Sequence, residues 1–131
     1  MRRILVPVLT AGFAAALTIA GPASGASASV SVTGTASCPS GHLCVWNQTS
    51  YNGNMYKFAD TNKSWTSWSI NNHDASWYNH GTSGLKACVW GDEYSVIWGW
   101  GGGVKSVASG TSSPSDPNRA YKGSSNSWGN C

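Results

Sequence analysis

Trp46-Asn47-Gln48-Thr49-Ser50-Tyr51-Asn52-Gly53 is the stretch on which the fold turns. It runs aromatic, four residues, aromatic, any residue, glycine, with Gly53 standing where a chain needs positive φ. Upstream it is joined to a short apolar run, Leu43-Cys44-Val45-Trp46, and the same run recurs as Ala87-Cys88-Val89-Trp90, 44 residues on. Further out, Ser76-Trp77 and Ser106-Val107 occupy similar places, each followed shortly by Gly-Thr. Beyond residue 28 no stretch keeps helical periodicity over ten residues, whereas Gly, Asn, Ser and Thr punctuate short runs of Trp, Tyr and Val. That pattern predicts an all-β domain of short strands and turns. Two related units, about 38–84 and 85–131, fit a Greek-key sandwich in which each covers the other's apolar face. Residues 109–127, rich in Ser, Pro, Gly and Asn, read as an irregular tail anchored by Trp128 and Cys131.

The first residues read differently. Met1-Arg2-Arg3 is basic, Ile4 to Ala20 is apolar and uncharged, and Gly21 to Ala28 is built of small residues and a proline. This is the pattern of a secretory signal peptide over residues 1–28, followed by a spacer at 29–37. The apolar stretch, rich in Ala and carrying Pro7, is short for a membrane span. The whole chain has 131 residues and a formal charge of +3. Without Arg2 and Arg3 the balance is six basic residues against five acidic. The remaining cations are scattered, so the clustered footprint of a nucleic-acid binder is missing. The expected product is exported, with no membrane segment after cleavage, and monomeric.

After residue 28 there are fourteen aromatics, eight of them Trp, against twelve aliphatics counting Met55. A core built from these must be largely aromatic. All four cysteines lie in the same part, and an even count in a small exported chain implies two disulfides. Three connectivities are open. The tight loop Cys38-Pro39-Ser40-Gly41-His42-Leu43-Cys44 favours Cys38–Cys44, which leaves Cys88–Cys131. The spacings match no standard zinc pattern.

The Trp46–Gly53 stretch resembles the folded-hairpin signature of βγ-crystallin domains. Ile70-Asn71-Asn72-His73-Asp74-Ala75-Ser76 resembles the second half of that signature, in which the final Ser bonds back to the hairpin. With the export signal and Cys-Pro-Ser-Gly-His-Leu-Cys, residues 38–108 resemble the secreted actinobacterial peptidase inhibitor family typified by the Streptomyces metalloproteinase inhibitor. The resemblance implies a βγ-crystallin-like Greek-key sandwich with a degenerate second unit, and Trp46, Tyr51, Gly53, Ser76 and Ser106 as fold-signature positions. It also implies calcium positions, here Asn71, Asn72, Ala75 and Lys105. Ala75 has no side-chain oxygen and Lys105 would repel a cation, so calcium is disfavoured and no metal or other cofactor is expected. Asp74 is the one carboxylate near the first position.

Nucleophilic chemistry finds little support. His42, His73 and His80 are the only histidines, and His73 beside Asp74 suits a turn rather than a relay. Asp92 and Glu93 would face opposite sides of a strand. A non-enzymatic protein is therefore expected, and three functions compete. The family resemblance implies a peptidase inhibitor, metalloprotease-type, with an extracellular protease as partner. The family's inhibitory loop carries its own small disulfide, and this chain has no second close cysteine pair, so Cys88-Val89-Trp90 is the candidate segment. A carbohydrate-binding module is the second reading. Trp98-Gly99-Trp100 would place two indoles on one strand face toward a polysaccharide, and Trp65 and Trp68 form a less regular pair. A secreted toxin or cell-wall-active protein on the same fold is the third.

Overall fold

A computed structural model describes residues 34–131, and among these the chain forms seven strands and two short 3-10 turns, Thr35–Ser37 and Thr49–Tyr51. The export-signal reading of residues 1–28 and most of the 29–37 spacer lie outside the described residues. The strands are β1 (Leu43–Trp46), β2 (Met55–Phe58), β3 (Ser76–Asn79), β4 (Lys86–Trp90), β5 (Gly103–Val107), β6 (Ser112–Ser113) and β7 (Ser125–Gly129). They make two antiparallel sheets, ordered β2-β1-β3-β6 and β5-β4-β7.

Period-two alternation decides which side chains meet. Leu43 and Val45 of β1, Trp77 of β3, Ala87 and Val89 of β4, and Val107 of β5 enter one core between the sheets, joined by Val104, which the register shift opposite Val89 and Trp90 takes out of the alternation. Phe58 stacks on the buried Trp65 within it, centroids 4.9 Å apart. The alternate residues of β1 face outward, yet Cys44 and Trp46 are buried there too, beneath Cys38, Tyr51, Met55 and Tyr78. Trp46 and Tyr51 meet edge to face at 5.3 Å. For this to happen the β1–β2 connection folds back over its own sheet, with Ser50, Tyr51 and Gly53 all at positive φ. A Cβ on Gly53 would collide with Asn47 Oδ1. Ser76 Oγ pins the hairpin, donating to the Gln48 carbonyl at 2.7 Å and accepting from Tyr51 N at 3.1 Å.

The two halves repeat with an exchange of strands. β6 of the second half pairs with β3 of the first, and Asn62 of the first half bridges to Asn126 on β7. Equivalent bonds recur: Ala75 N donates to Trp46 O at 2.8 Å, and Ser124 N to Trp90 O at 2.7 Å. Where the halves cross, Asn72 N donates to Gly123 O at 2.7 Å and Tyr121 N to Asp74 O at 2.6 Å.

This register corrects the second-unit assignment. Trp46 opposes Ser76 and Trp90 opposes Ser125, so the counterpart of Ser76 is Ser125, whose Oγ donates to the Asp92 carbonyl at 2.6 Å. Ser106 instead sits exposed on β5, the hairpin partner of β4. The segment read as an irregular tail likewise contains β6 and the start of β7. Both disulfides form as expected, Cys38–Cys44 and Cys88–Cys131.

The repeat also exposes a strained residue. Asn72 and Tyr121 are equivalent and both left-handed, with φ of 58° and 62°. Asn tolerates that region and Tyr does not. Tyr121 is 57% exposed, so its ring contributes little burial. Tyr121→Asn should raise the unfolding free energy by about 0.5–1 kcal/mol. Chemical denaturation measures this, and an unchanged or lower value would show that the ring is held by contacts worth more than the strain.

Candidate functional site

The two hairpins at the same pole of the two sheets differ in length. The β1–β2 connection has eight residues, 47–54, and the β4–β5 connection has twelve, 91–102. Both are closed at the base by equivalent bonds, Asn47 N to Asn54 O at 3.2 Å and Gly91 N to Gly102 O at 2.7 Å. Counting from each tryptophan, Ser95 stands where the first hairpin has Tyr51, and Ile97 where it has Gly53. Lacking the aromatic that packs down and the glycine that permits the fold-back, the second hairpin projects.

Its tip is a closed turn. Ser95 N donates to Gly99 O at 2.9 Å and Gly99 N returns to Ser95 O at 2.7 Å. Ser95 Oγ accepts from the backbone N–H of Ile97 and of Trp98, both at 3.2 Å. Gly99 turns the chain at φ 73°. Three apolar side chains stand on this frame, Val96 at 87%, Ile97 at 76% and Trp98 at 85% exposure. The three make one contiguous exposed apolar run, the kind of surface through which proteins meet partners. Val96 and Ile97 belong to no motif and count in the sequence only among the twelve aliphatics. The sequence signal that they project is the absence of an aromatic at 95 and of a glycine at 97.

The other sequence-selected residues lie elsewhere. Cys88 and Val89 are buried at the centre of the middle strand of their sheet and Trp90 is half-buried, so this segment cannot enter another protein's cleft. Trp98 and Trp100 do not share a strand face, because Gly99 turns the chain between them. Trp98 points to solvent and Trp100 stacks on Trp90, centroids 5.8 Å apart. Trp65 is fully buried, its Nε1 donating to Asn126 Oδ1 at 2.8 Å, and Trp68 packs edge-on to Phe58. No paired stacking platform for sugar rings results. Asp92 and Glu93 are exposed at the base of the projecting hairpin, on a loop and not a strand.

The calcium positions can now be read from structure. Ala75 is buried and offers no side-chain oxygen. Its counterpart is Ser124, not Lys105, which lies on β5 and pairs with Asp116 at 2.8 Å. Ser124 does carry a hydroxyl, but it is 7% exposed and donates to Asn72 Oδ1 at 3.2 Å. Asp74 turns inward. It is fully buried and accepts from Trp77 Nε1 at 3.0 Å, Lys122 N at 3.0 Å and Gly123 N at 2.7 Å. Burial raises its pKa above the ordinary 3.8, while the bonds from Gly123, Trp77 and Lys122 pull the other way. Ca²⁺ takes roughly six to eight oxygens with carboxylates prominent, and this donor set does not fit it. His73 is exposed and bonds the Asn71 carbonyl, not Asp74.

Two interlocked Greek keys with a hairpin folded over one sheet define a βγ-crystallin domain. A solved structure described as "Evolution of the eye lens beta-gamma-crystallin domain fold" superposes with TM-score 0.58 at 15% identity, covering 72% of this chain and 91% of that one. The crystal structure of the N-terminal domain of protein S gives TM-score 0.49 at 14% identity, covering 66% and 93%. No curated protein matches the chain. A sequence model of peptidase inhibitor family I36 matches residues 32–106, more than half of the chain, and the protein belongs to that family.

Proposed function

We propose that the protein is a secreted, non-enzymatic inhibitor of a thermolysin-type metalloprotease, and that the Ser95–Gly99 turn is the segment that enters the protease cleft. The observation that carries this reading is the run Val96-Ile97-Trp98, exposed side by side on a turn closed by reciprocal hydrogen bonds. A turn already ordered in the free protein lowers the entropy cost of binding. The turn carries no Lys or Arg for a trypsin-like pocket and no carboxylate for an acid-specific one. Its apolar side chains suit a protease that selects bulky aliphatic or aromatic residues. The two disulfides suit an oxidising, extracellular setting.

The test is titration of the oxidised protein against thermolysin, subtilisin and trypsin in parallel. Stoichiometric inhibition of thermolysin is expected. No inhibition of it at high micromolar concentration would defeat the reading. The proposal needs no bound metal, so calcium and a calcium-selective chelator should leave the thermal midpoint of the inhibitor alone unchanged. A calorimetric micromolar calcium site would contradict this.

A further inference from the structure

The projecting turn raises a mechanical question. Its three tip side chains are exposed and cannot hold it, and short hairpins in water are marginally stable without further packing. No cysteine lies within 91–102, and both disulfides tie other segments. The residues that flank the turn, Tyr94 and Trp100, carry the only large rings at its feet. Their centroids are 4.9 Å apart with planes tilted by 60°. Trp100 also lies nearly flat on Trp90 of β4, at 5.8 Å and 19°.

Each foot is fastened to a different part of the fold. Trp90 Nε1 donates to Ser127 Oγ on β7 at 2.8 Å. Tyr94 N donates to the Lys63 carbonyl at 2.8 Å, and Lys63 Nζ sits 4.6 Å over the Tyr94 ring. The rings thus bridge the two ends of the turn and connect them to β4, β7 and the segment at residue 63. Contacts of this geometry are favourable beyond the area they bury.

We propose that Trp100 is a positioning residue, clasped between Trp90 and Tyr94, that keeps the Ser95–Gly99 turn in the shape it presents to a protease. The proposal rests on the inhibitory reading of that turn. Trp100 does the work of a staple across the base of the loop without a covalent bond. The half-buried ring faces its own hairpin, whereas Trp98, two residues earlier, faces out.

The experiment compares wild type, Trp100→Ala and Trp100→Phe by two readouts. The first is the inhibition constant against thermolysin. The second is the backbone ¹⁵N order parameters of Val96, Ile97 and Trp98, read beside those of Val89 and Asn126 in the sheet. In Trp100→Ala, inhibition should weaken about tenfold, the size of one lost aromatic contact. The tip order parameters should fall from about 0.85 to below about 0.6, with the sheet values unchanged. Trp100→Phe should recover most of both. If inhibition falls while the tip stays rigid, Trp100 touches the protease itself and the positioning role is wrong. If Val89 and Asn126 loosen as well, Trp100 supports the sheet as a whole and the proposal again fails. If the tip loosens as expected but wild type never inhibits thermolysin, the clasp stands and the inhibitory reading of the turn falls.

Discussion

An Ile97→Asp variant should lose at least about a hundredfold in inhibition of thermolysin while unfolding at the same denaturant concentration as wild type. Ile97 is the middle residue of the tip and 76% exposed, so the free fold gains little from it. In a complex the same side chain would be buried near the centre of the interface, in the desolvated region where a few residues carry most of the affinity. A carboxylate brought into an apolar pocket without a partner costs several kcal/mol, more than the roughly 2.7 kcal/mol that a hundredfold represents. Leu85→Asp is the control. Leu85 is 45% exposed and precedes β4, at the opposite end of that strand from the turn, so inhibition should be unaffected. Equal losses in both variants would place the protease contact elsewhere or reveal a general defect.

Asp74→Ala should cost about 4 kcal/mol of stability, a large part of the roughly 5–15 kcal/mol that holds such a domain. Asp74 sits at the crossing of the two halves and receives three N–H groups, two of them from the segment leading into β7. The space is full: a Cβ on Gly123 would lie 2.7 Å from Asp74 Oδ2 and 2.8 Å from Val89 Cγ1. Deleting the carboxylate leaves those donors unpaired where water has little room to replace it. Asp74→Asn should cost about half as much, since its carbonyl can keep Lys122 N and Gly123 N while its amide opposes Trp77 Nε1. Urea denaturation measures both.

The pH dependence separates charge from packing. A carboxyl whose folded-state pKa is raised holds its proton longer than in the unfolded chain. Stability from Asp74 is therefore greatest below 3.8 and declines as pH rises through the raised value. Asp116 behaves oppositely. The Lys105 ammonium holds its carboxyl below 3.8, so its modest, part-exposed contribution is lost as pH falls. The stability difference between wild type and Asp74→Asn should therefore decline with rising pH above 3.8. A rise would mean that the three N–H bonds outweigh burial.

Much of the architecture is legible in local chemistry. Leu43-Cys44-Val45-Trp46 is β1 and its echo at Ala87–Trp90 lies in β4, each an interior strand of its sheet, and the Trp46–Gly53 spacing reports a hairpin that folds down. The second unit misleads because Gly110-Thr111 follows Ser106 much as Gly81-Thr82 follows Ser76. The twelve-residue hairpin and β5 come first, and the true counterpart, Ser125, lies within a run whose composition reads as tail. Its strand is buried by tertiary pairing and not by apolar side chains: Ser125 and Asn126 are fully buried, and Asn126 is held by Trp65 Nε1 and the Asp60 carbonyl. Propensity is a weak guide where packing decides. The site was harder still. A motif search looks for residues that are present, and the projecting turn is marked by an aromatic and a glycine that are not.

The exchange of strands between the halves has a kinetic consequence. The sheet around β4 is incomplete until β7 arrives, and the bridge from Asn62 to Asn126 joins residues 64 positions apart. Chain closure over such distances must precede most of the stabilising contacts, which places folding on the order of milliseconds to seconds. Without the second half β3 loses β6 from its edge, and without the first half β7 loses its bridge to Asn62. A chain interrupted after β5 would leave β4 with a bare hydrogen-bonding edge and Cys88 without its partner, a species prone to intermolecular pairing and mismatched disulfides.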